Sequence, residues 1–266
     1  MKIGFLITAR LKSTRLPQKL LLDLNGRNVV ERVIERCKKV SDISEIVICT
    51  STNPQDKPLT DIAIKNDIHY YLGSEEDVLN RLNDAAAFFN LDYIINITGE
   101  NPLFSIYHAN LVVSQAKKEK YDYIYIDGLP IGCAVYGIKP EALKTVCEIK
   151  EVIDTEIWGP LINRPEIFNV KKIDATSRFN NADLRITTDY LEDYLFIQRI
   201  FSCFPSDYIP DYIQISQLLK DNPEFIEINK ARKQAQIEKG ILEKINIFFE
   251  LNKDEILKVK SKNYKI

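Results

Sequence analysis

The chain has 266 residues, of which 45% are hydrophobic and 28% charged, the composition of an ordinary globular protein. A formal net charge of -2 argues against a protein that coats nucleic acid or an anionic membrane. The 5 cysteines are scattered and form no CxxC pair, so we expect neither a disulfide framework nor a zinc site. The apolar stretches are too short for a signal peptide or a membrane span, and we expect a cytoplasmic protein.

The first half of the chain alternates between short apolar runs and longer amphipathic segments. Strands are predicted from the apolar runs at residues 3–7, 45–50, 69–72 and 93–97. Helices are predicted from helical spacing at residues 28–40, 54–66, 75–89 and 105–118. Ser105 is the predicted N-terminal cap of the last of these helices. Because strands alternate with helices, the pattern predicts an α/β fold with a doubly wound, mostly parallel sheet.

The second half of the chain is less regular. Further strands are predicted at residues 121–126, 134–138, 168–173 and 184–187. Further helices are predicted at residues 141–148, 190–201 and 215–221, followed by a charged helical stretch over residues 223–266. Since no linker is evident, we expect a single domain over residues 1–266.

The loop after the first predicted strand is rich in cations and hydroxyl groups. These are Arg10, Lys12, Ser13, Thr14, Arg15 and Lys19. Open α/β sheets bind ligands beyond the carboxyl ends of their strands, where this loop lies. Guanidinium and ammonium groups suit phosphate oxygens, so the loop suits a polyphosphate. The charges alone, however, are more typical of a solvated surface loop.

The segment ITARLKSTRLPQKLL in this loop resembles the signature ARxxSTRLPxKxL of the CMP-sugar-type cytidylyltransferases. This superfamily includes the CMP-Kdo and CMP-sialate synthetases and the SpsF-like spore-coat polysaccharide branch, which the chain resembles most. The resemblance implies a Rossmann-like nucleotidyltransferase sheet and transfer of CMP from CTP to an acceptor with release of pyrophosphate. It implies that Arg10, Arg15 and Lys19 are catalytic and neutralise phosphate oxygens. It also implies that the nucleotide contacts Thr8, Ala9, Arg10, Ser13, Thr14 and Lys19.

Two acidic residues stand where the family binds a metal. ITGENPLF resembles ITGDxPLI, and LRITTDYLED resembles LRLTVDTPEDxxL, so Glu100 and Asp189 are the implied Mg²⁺ ligands. Thr98 and Gly99 are implied nucleotide contacts. By sequence alone Glu100 is more typical of a helix-capping or surface residue, and Asp189 is also typical of an N-terminal cap, a role that is compatible with metal binding. The chain also departs from the pattern, because Glu100 replaces an aspartate and Tyr190 a proline.

Two further segments resemble the SpsF-like branch more loosely. GSEEDVLNR resembles GSEEDVLxR and implies that Gly73, Ser74 and Arg81 lie beside the nucleotide, although Ser74 is equally a helix cap. The regions at residues 129–138 and 154–159 correspond to parts that bind the acceptor in relatives. They imply acceptor contacts by Tyr136, Glu156 and Trp158, and Trp158 is equally a core or dimer residue.

The resemblance thus predicts a magnesium-dependent cytidylyltransferase, active as a homodimer in surface-polysaccharide or capsule biosynthesis. The predicted acceptor is a sugar acid, or a phosphorylated small molecule such as a sugar phosphate or an amino-acid phosphate. Roughly, residues 1–120 would bind the nucleotide, residues 121–220 would form a small β-rich insertion for the acceptor and dimerisation, and residues 221–266 a helical extension. The alternatives are a nucleotide-binding protein with little activity, which the change at Glu100 favours, and an enzyme that uses UTP or dTTP.

Overall fold

The computed structural model describes residues 1–119, 121–152, 154–175, 184–234 and 237–264. Within these ranges, seven strands form one sheet. They are β1 (Ile3–Thr8), β2 (Glu45–Ser51), β3 (His69–Gly73), β4 (Tyr93–Thr98), β5 (Tyr123–Asp127), β6 (Tyr136–Ile138) and β7 (Val170–Asp174). Their order across the sheet is β3-β2-β1-β4-β6-β5-β7, and β6 alone among these strands runs antiparallel to its neighbours. The predicted mostly parallel sheet is therefore confirmed.

Helices cover both faces of this sheet. They are α1 (Val29–Cys37), α2 (Lys57–Lys65), α3 (Val78–Phe88), α4 (Ile106–Lys118), α5 (Pro140–Ile149), α6 (Gly159–Ile162), α7 (Leu191–Phe201), α8 (Tyr212–Asp221), α9 (Lys239–Leu251) and α10 (Lys253–Asn263). Successive side chains of a strand point to opposite faces, and in β1 Phe5 and Ile7 enter one apolar core while Leu6 enters the other. Burial on both faces is the reason why β1 is apolar throughout.

The helix starts follow from local capping chemistry. Ser105 caps α4, as predicted, by accepting the N–H of His108 at 3.3 Å. At α3 the cap is Asp77, which accepts the N–H of Asn80 at 3.1 Å, so Ser74 is not the cap. Ser74 instead accepts the N–H of Asp77, and this turn delays the helix start beyond the predicted residue 75.

The second half departs from the prediction at residues 184–187, which form no strand. Arg185 makes one isolated bridge with Ile131, because the segment lies against the loop between β5 and β6 rather than at a sheet edge. The charged C-terminal stretch contains a 3-10 turn at Pro223–Ile228 before α9 and α10, so it is not continuously helical. Residues 235–236 and 265–266 of that stretch lie outside the described residues. Within the described ranges, no helix combines the length and the apolar character that a membrane crossing requires.

Candidate active site

The carboxyl ends of β1 and β4 place two functional loops side by side. Thr8 and Thr98, the last residues of these parallel strands, are paired in register. The N–H of Gly99 donates to the carbonyl of Thr8 at 2.8 Å, and a Cβ at Gly99 would lie 3.3 Å from that of Ala9. The cationic loop after β1 and the loop with Glu100 therefore leave the sheet in contact with each other.

Lys19 lies between the two acidic residues singled out in the sequence. Its Nζ is 2.7 Å from Oδ1 of Asp189 and 4.0 Å from Oε1 of Glu100. Lys19 belongs to a short 3-10 turn and is 8% exposed, so its ammonium group is fixed rather than free in solvent. A cation and two carboxylates from three separate loops thus share one cleft, as the sequence predicted.

Arg15 completes this group from the solvent side. Its guanidinium lies 3.3 Å from Oδ1 of Asp189 and 5.3 Å from the ring centroid of Tyr190. The Arg15 side chain is 43% exposed, so it remains accessible to a ligand. Arg15 and Lys19 therefore present two positive charges at the same carboxylate.

The charge of Asp189 is stabilised by its surroundings. Burial alone would raise the pKa of this carboxyl, but Lys19, Arg15 and Arg185 outweigh burial and hold its pKa below the ordinary value. Arg185 donates to Oδ2 of Asp189 at 2.8 Å, on the side away from Lys19. Asp189 is thus ionised at neutral pH and is contacted by three cations.

Arg10 lies in a second cluster, apart from the ion pairs of Arg15 and Lys19. Its guanidinium pairs with Glu156, lies 3.7 Å from Glu76 and donates to the carbonyl of Glu75. Lys12 pairs with Glu75 at 3.2 Å and with Glu76 at 3.0 Å. The loop after β1 is therefore joined to the segment before α3 and to the loop before α6.

The other implied nucleotide residues lie in the loop after β1, at the end of β3, before α3 and within α3. Ser13 accepts the N–H of Leu16 at 3.3 Å, and Thr14 is exposed. Arg81 is buried and donates to the carbonyls of Ser74 and Glu75, so it supports the main chain of that segment. The side chain of Arg81 packs directly against Gly73, since a Cβ at Gly73 would lie 2.9 Å from Cγ of Arg81. A direct contact of Arg81 with nucleotide stays a prediction.

Of the implied acceptor residues, Glu156 is exposed and the two aromatic residues pack inside. Trp158 is 7% exposed, and its ring centroid lies 5.2 Å from that of Tyr136. Tyr123 packs against both rings. Trp158 therefore packs in the core, one of the alternatives considered from the sequence, and acceptor contacts by Trp158, Tyr136 and Glu156 stay predictions.

Asp56 is a supporting residue that the sequence analysis missed. It is fully buried, accepts the N–H of Leu11 at 2.7 Å and accepts the hydroxyl of Ser51 at 2.5 Å. This carboxylate fixes the main chain next to Arg10. The sequence offered only an acidic residue near a predicted helix start, where aspartate is common.

Glu100 and Asp189 could hold a metal only together with other ligands. Within the described ranges, no group of 3 or more acidic, histidine or cysteine side chains is arranged to hold a metal ion. Mg²⁺, however, usually takes one or two protein carboxylates and completes its shell with water and phosphate oxygens. In the residues next to Glu100 and Asp189 along the chain, Oδ1 of Asn101 and Oγ1 of Thr188 are buried without a hydrogen-bond partner in the described part of the structure. Unpaired oxygens and two carboxylates fit a magnesium–triphosphate site.

Comparison with known sequences identifies the family. The model of the family described as Cytidylyltransferase matches residues 5–244. The chain belongs to the cytidylyltransferase family. As a member of this family, the chain is a CTP-dependent nucleotidyltransferase.

Three relatives illustrate the range of this family. An uncharacterised protein of Methanocaldococcus jannaschii is 30% identical over 239 residues, which are 88% of this chain and 97% of that protein. The spore coat polysaccharide biosynthesis protein SpsF of Bacillus subtilis is 28% identical, over 75% of this chain and 86% of SpsF. A 3-deoxy-manno-octulosonate cytidylyltransferase of Chloroherpeton thalassium is 37% identical, over 66% of this chain and 69% of that enzyme.

Solved structures agree with the fold of this cytidylyltransferase. A cytidylyltransferase from Leptospira borgpetersenii superposes with a TM-score of 0.78 at 24% identity and covers 89% of this chain and 100% of its own. A CMP:2-keto-3-deoxy-manno-octonic acid synthetase complexed with CTP gives a TM-score of 0.61 at 14% identity, over 76% of this chain and 99% of its own. The predicted Rossmann-like nucleotidyltransferase sheet is confirmed.

Proposed function

We propose that this cytidylyltransferase transfers CMP from magnesium-bound CTP to a small acceptor and releases pyrophosphate. The observation that carries the proposal is the meeting of Lys19 with Asp189 and Glu100 at the carboxyl edge of the sheet. In this reaction an acceptor oxygen attacks the α-phosphorus, and the bond from that phosphorus to the pyrophosphate oxygen breaks. The enzyme must hold the two reactants in line and neutralise the charge of the leaving group.

Lys19 and Arg15 have the chemistry for the leaving group. Both are cations with a shared carboxylate partner, Asp189, and Arg15 is also accessible from solvent. When a triphosphate enters, its oxygens compete with that carboxylate for both cations, and the negative charge of pyrophosphate strengthens these contacts in the transition state. Both side chains are thus assigned to the β- and γ-phosphates.

Glu100 and Asp189 are assigned to the metal. A Mg²⁺ ion bound by their carboxylates would neutralise phosphate charge and hold the triphosphate in a reactive orientation. With only two protein ligands, metal binding is expected to depend on the nucleotide. Glu100 has one more methylene than the aspartate of the family pattern, and the flexible side chain has room because it is partly exposed.

The acceptor is assigned to the side of the cleft that contains Glu156. Arg10 connects this residue to the nucleotide loop, so an acceptor beside Glu156 would lie next to the bound CTP. The similarity to SpsF and to 3-deoxy-manno-octulosonate cytidylyltransferase supports a sugar acid or a phosphorylated small molecule in surface-polysaccharide biosynthesis. We also propose that the protein is a homodimer, which analytical sedimentation tests, and that it is cytoplasmic, which cell fractionation tests.

A pyrophosphate-release assay tests the proposal. The full chain is incubated with CTP, Mg²⁺ and single acceptors from two panels, sugar acids and phosphorylated sugars or amino acids. Release is expected with one panel, with CTP but not UTP or dTTP, and only when the metal is present. Tight CTP binding without release from either panel would instead favour a nucleotide-binding protein, and release from UTP or dTTP would favour a different donor.

A further inference from the structure

Three buried residues form a hydrogen-bonded group next to Asp189, which we name the support network. They are Arg185 and Asp193, which contact Asp189, and Asn229, which contacts both of them. Their exposed fractions are 4%, 0% and 2%. Arg185 and Asp193 belong to the segment that resembles the family pattern, whereas Asn229 lies far along the chain in no recognised motif.

Asp193 fixes the main chain on which Asp189 sits. Its Oδ2 accepts the N–H of Asp189 at 3.2 Å and the N–H of Tyr190 at 3.1 Å. Asp193 lies in the first turn of α7, where a carboxylate also suits the helix dipole. The loop that carries Asp189 is therefore joined to a rigid element.

Arg185 fixes the side chain of Asp189. Its Nε donates to both oxygens of Asp193, at 2.9 and 3.0 Å, and its Nη2 donates to Oδ2 of Asp189 at 2.8 Å. A planar guanidinium can bridge two carboxylates in this way, whereas a lysine ammonium lacks the fork. Arg185 therefore fixes the orientation of the Asp189 carboxylate relative to that of Asp193.

Asn229 closes the support network from the C-terminal segment. Its Nδ2 donates to Oδ1 of Asp193 at 2.9 Å and to the carbonyl of Arg185 at 3.0 Å. Asn229 thus holds both the side chain of Asp193 and the main chain of Arg185. A second residue of this segment, Gln234, accepts a hydrogen bond from Nη1 of Arg185 at 2.5 Å.

As a consequence, the two carboxylate oxygens of Asp189 have different partners. Oδ2 is occupied by Arg185, whereas Oδ1 faces Lys19 and Arg15 in the cleft. We propose that Arg185, Asp193 and Asn229 are positioning residues that keep Oδ1 of Asp189 directed at the magnesium–triphosphate. This inference rests on the proposed function, because it requires Asp189 to contact the metal. Partners of this kind typically change metal affinity about 10- to 100-fold when they are removed.

The test uses CTP binding without an acceptor, so that no turnover is needed. Calorimetry gives the CTP dissociation constant with and without Mg²⁺ for the full chain and for Arg185→Lys, which keeps the charge but removes the fork. Asn229→Ala serves as the second variant if Arg185→Lys does not fold. The control is Asp122→Asn, which disturbs a buried carboxylate that binds Lys260 and the N–H of Asn169 next to the amino end of β5.

The expected result is that Mg²⁺ strengthens CTP binding by the wild type, and that Arg185→Lys or Asn229→Ala reduces this magnesium effect about tenfold or more. Asp122→Asn should keep the full magnesium effect, even if its unfolding temperature falls equally. An undiminished magnesium effect in the network variants, or an equal loss in Asp122→Asn, would overturn the positioning role alone. No magnesium effect in the wild type would overturn the proposed metal site and the positioning role together.

Discussion

Glu156, in the loop before α6, forms an ion pair with Arg10, in the loop after β1. The two residues lie 146 positions apart in the sequence. Their contact joins the loop assigned to CTP to the loop assigned to the acceptor. Because Arg10 is also an implied phosphate ligand, Glu156 and a bound triphosphate are expected to compete for the same guanidinium.

Glu156→Gln should tighten the binding of CTP. The substitution removes the competing charge, and the Glu156 side chain is 62% exposed, so the pair is worth only about 0–1 kcal/mol. We therefore expect a decrease of up to about fivefold in the CTP dissociation constant, measured by calorimetry. Asp61→Asn, which removes an exposed pair with Lys57 on α2, is the control and should have no effect. Unchanged or weaker CTP binding by Glu156→Gln would contradict the competition.

Lys19→Ala should lower kcat/KM for pyrophosphate release at least about 100-fold, which corresponds to roughly 2.7 kcal/mol. The reason is the loss of a buried ammonium that we assign to the phosphates of the leaving group. Lys12→Ala is the matched control, since Lys12 lies in the same loop but pairs with Glu75 and Glu76. If Lys19→Ala stays within about tenfold of the wild type, the phosphate assignment of Lys19 is wrong.

Asp189→Asn should destabilise the protein as well as inactivate it. The substitution leaves Lys19 and Arg185 buried without a charged partner at this carboxyl, and breaking a buried pair costs about 3–5 kcal/mol. Because the pKa of Asp189 in the folded protein lies below its ordinary value of 3.8, the ionised carboxylate stabilises the fold above that pH. This contribution is lost as the pH falls through the folded-state pKa.

Urea unfolding at several pH values measures this contribution. The difference in free energy of unfolding between wild type and Asp189→Asn should be largest near neutral pH and should shrink below about pH 4. Asp61→Asn, at an exposed pair, serves as the control for a general effect of removing a carboxylate. A pH-independent difference would show that the charge of Asp189 does not contribute.

Glu100→Asp restores the shorter side chain of the family pattern. If Glu100 binds the metal, the substitution should change the Mg²⁺ concentration for half-maximal pyrophosphate release, and higher activity would support the metal role. Glu119→Asp is a matched change in the residue that follows α4, and it should have no effect. If Glu100→Asp leaves the required Mg²⁺ concentration unchanged, Glu100 has only a structural role.

Gly132→Ala should disturb the cleft through the main chain. Gly132 has φ 91°, and a Cβ there would lie 2.4 Å from the carbonyl oxygen of Ile186 and 3.0 Å from Oδ1 of Asn101. We expect a loss of about 1–3 kcal/mol in unfolding free energy and weaker CTP binding. Gly240→Ala, in α9 with open space around it, is the control and should be neutral or slightly stabilising. Full stability of Gly132→Ala would contradict the expected close contact.

Much of the fold could be predicted because its signals are local. The apolar run of β1 reflects burial on both faces, and Ser105 marked the start of α4 because a cap acts within one turn. Residues 184–187 were wrongly predicted as a strand. Their extended main chain bridges a loop at Ile131, and only the position of that loop decides whether the segment joins the sheet.

The sequence by itself determined the alternation of strands and helices and the family signature, because these follow from residue type, periodicity and short spacing. The resemblance, and not the spacing, predicted the roles of Lys19, Glu100 and Asp189. Only the tertiary structure decided that Arg10 pairs with Glu156, that Asp56 supports the loop after β1 and that Asn229 closes the network behind Asp189. The physical reason is that hydrogen bonds and ion pairs act over about 3 Å, whatever the separation along the chain. Lys19 and Asp189, 170 positions apart, meet because the segment before Asp189 lies against loops that leave the sheet, through the bridge of Arg185 with Ile131 and the N–H of Thr188, which donates to the carbonyl of Glu100.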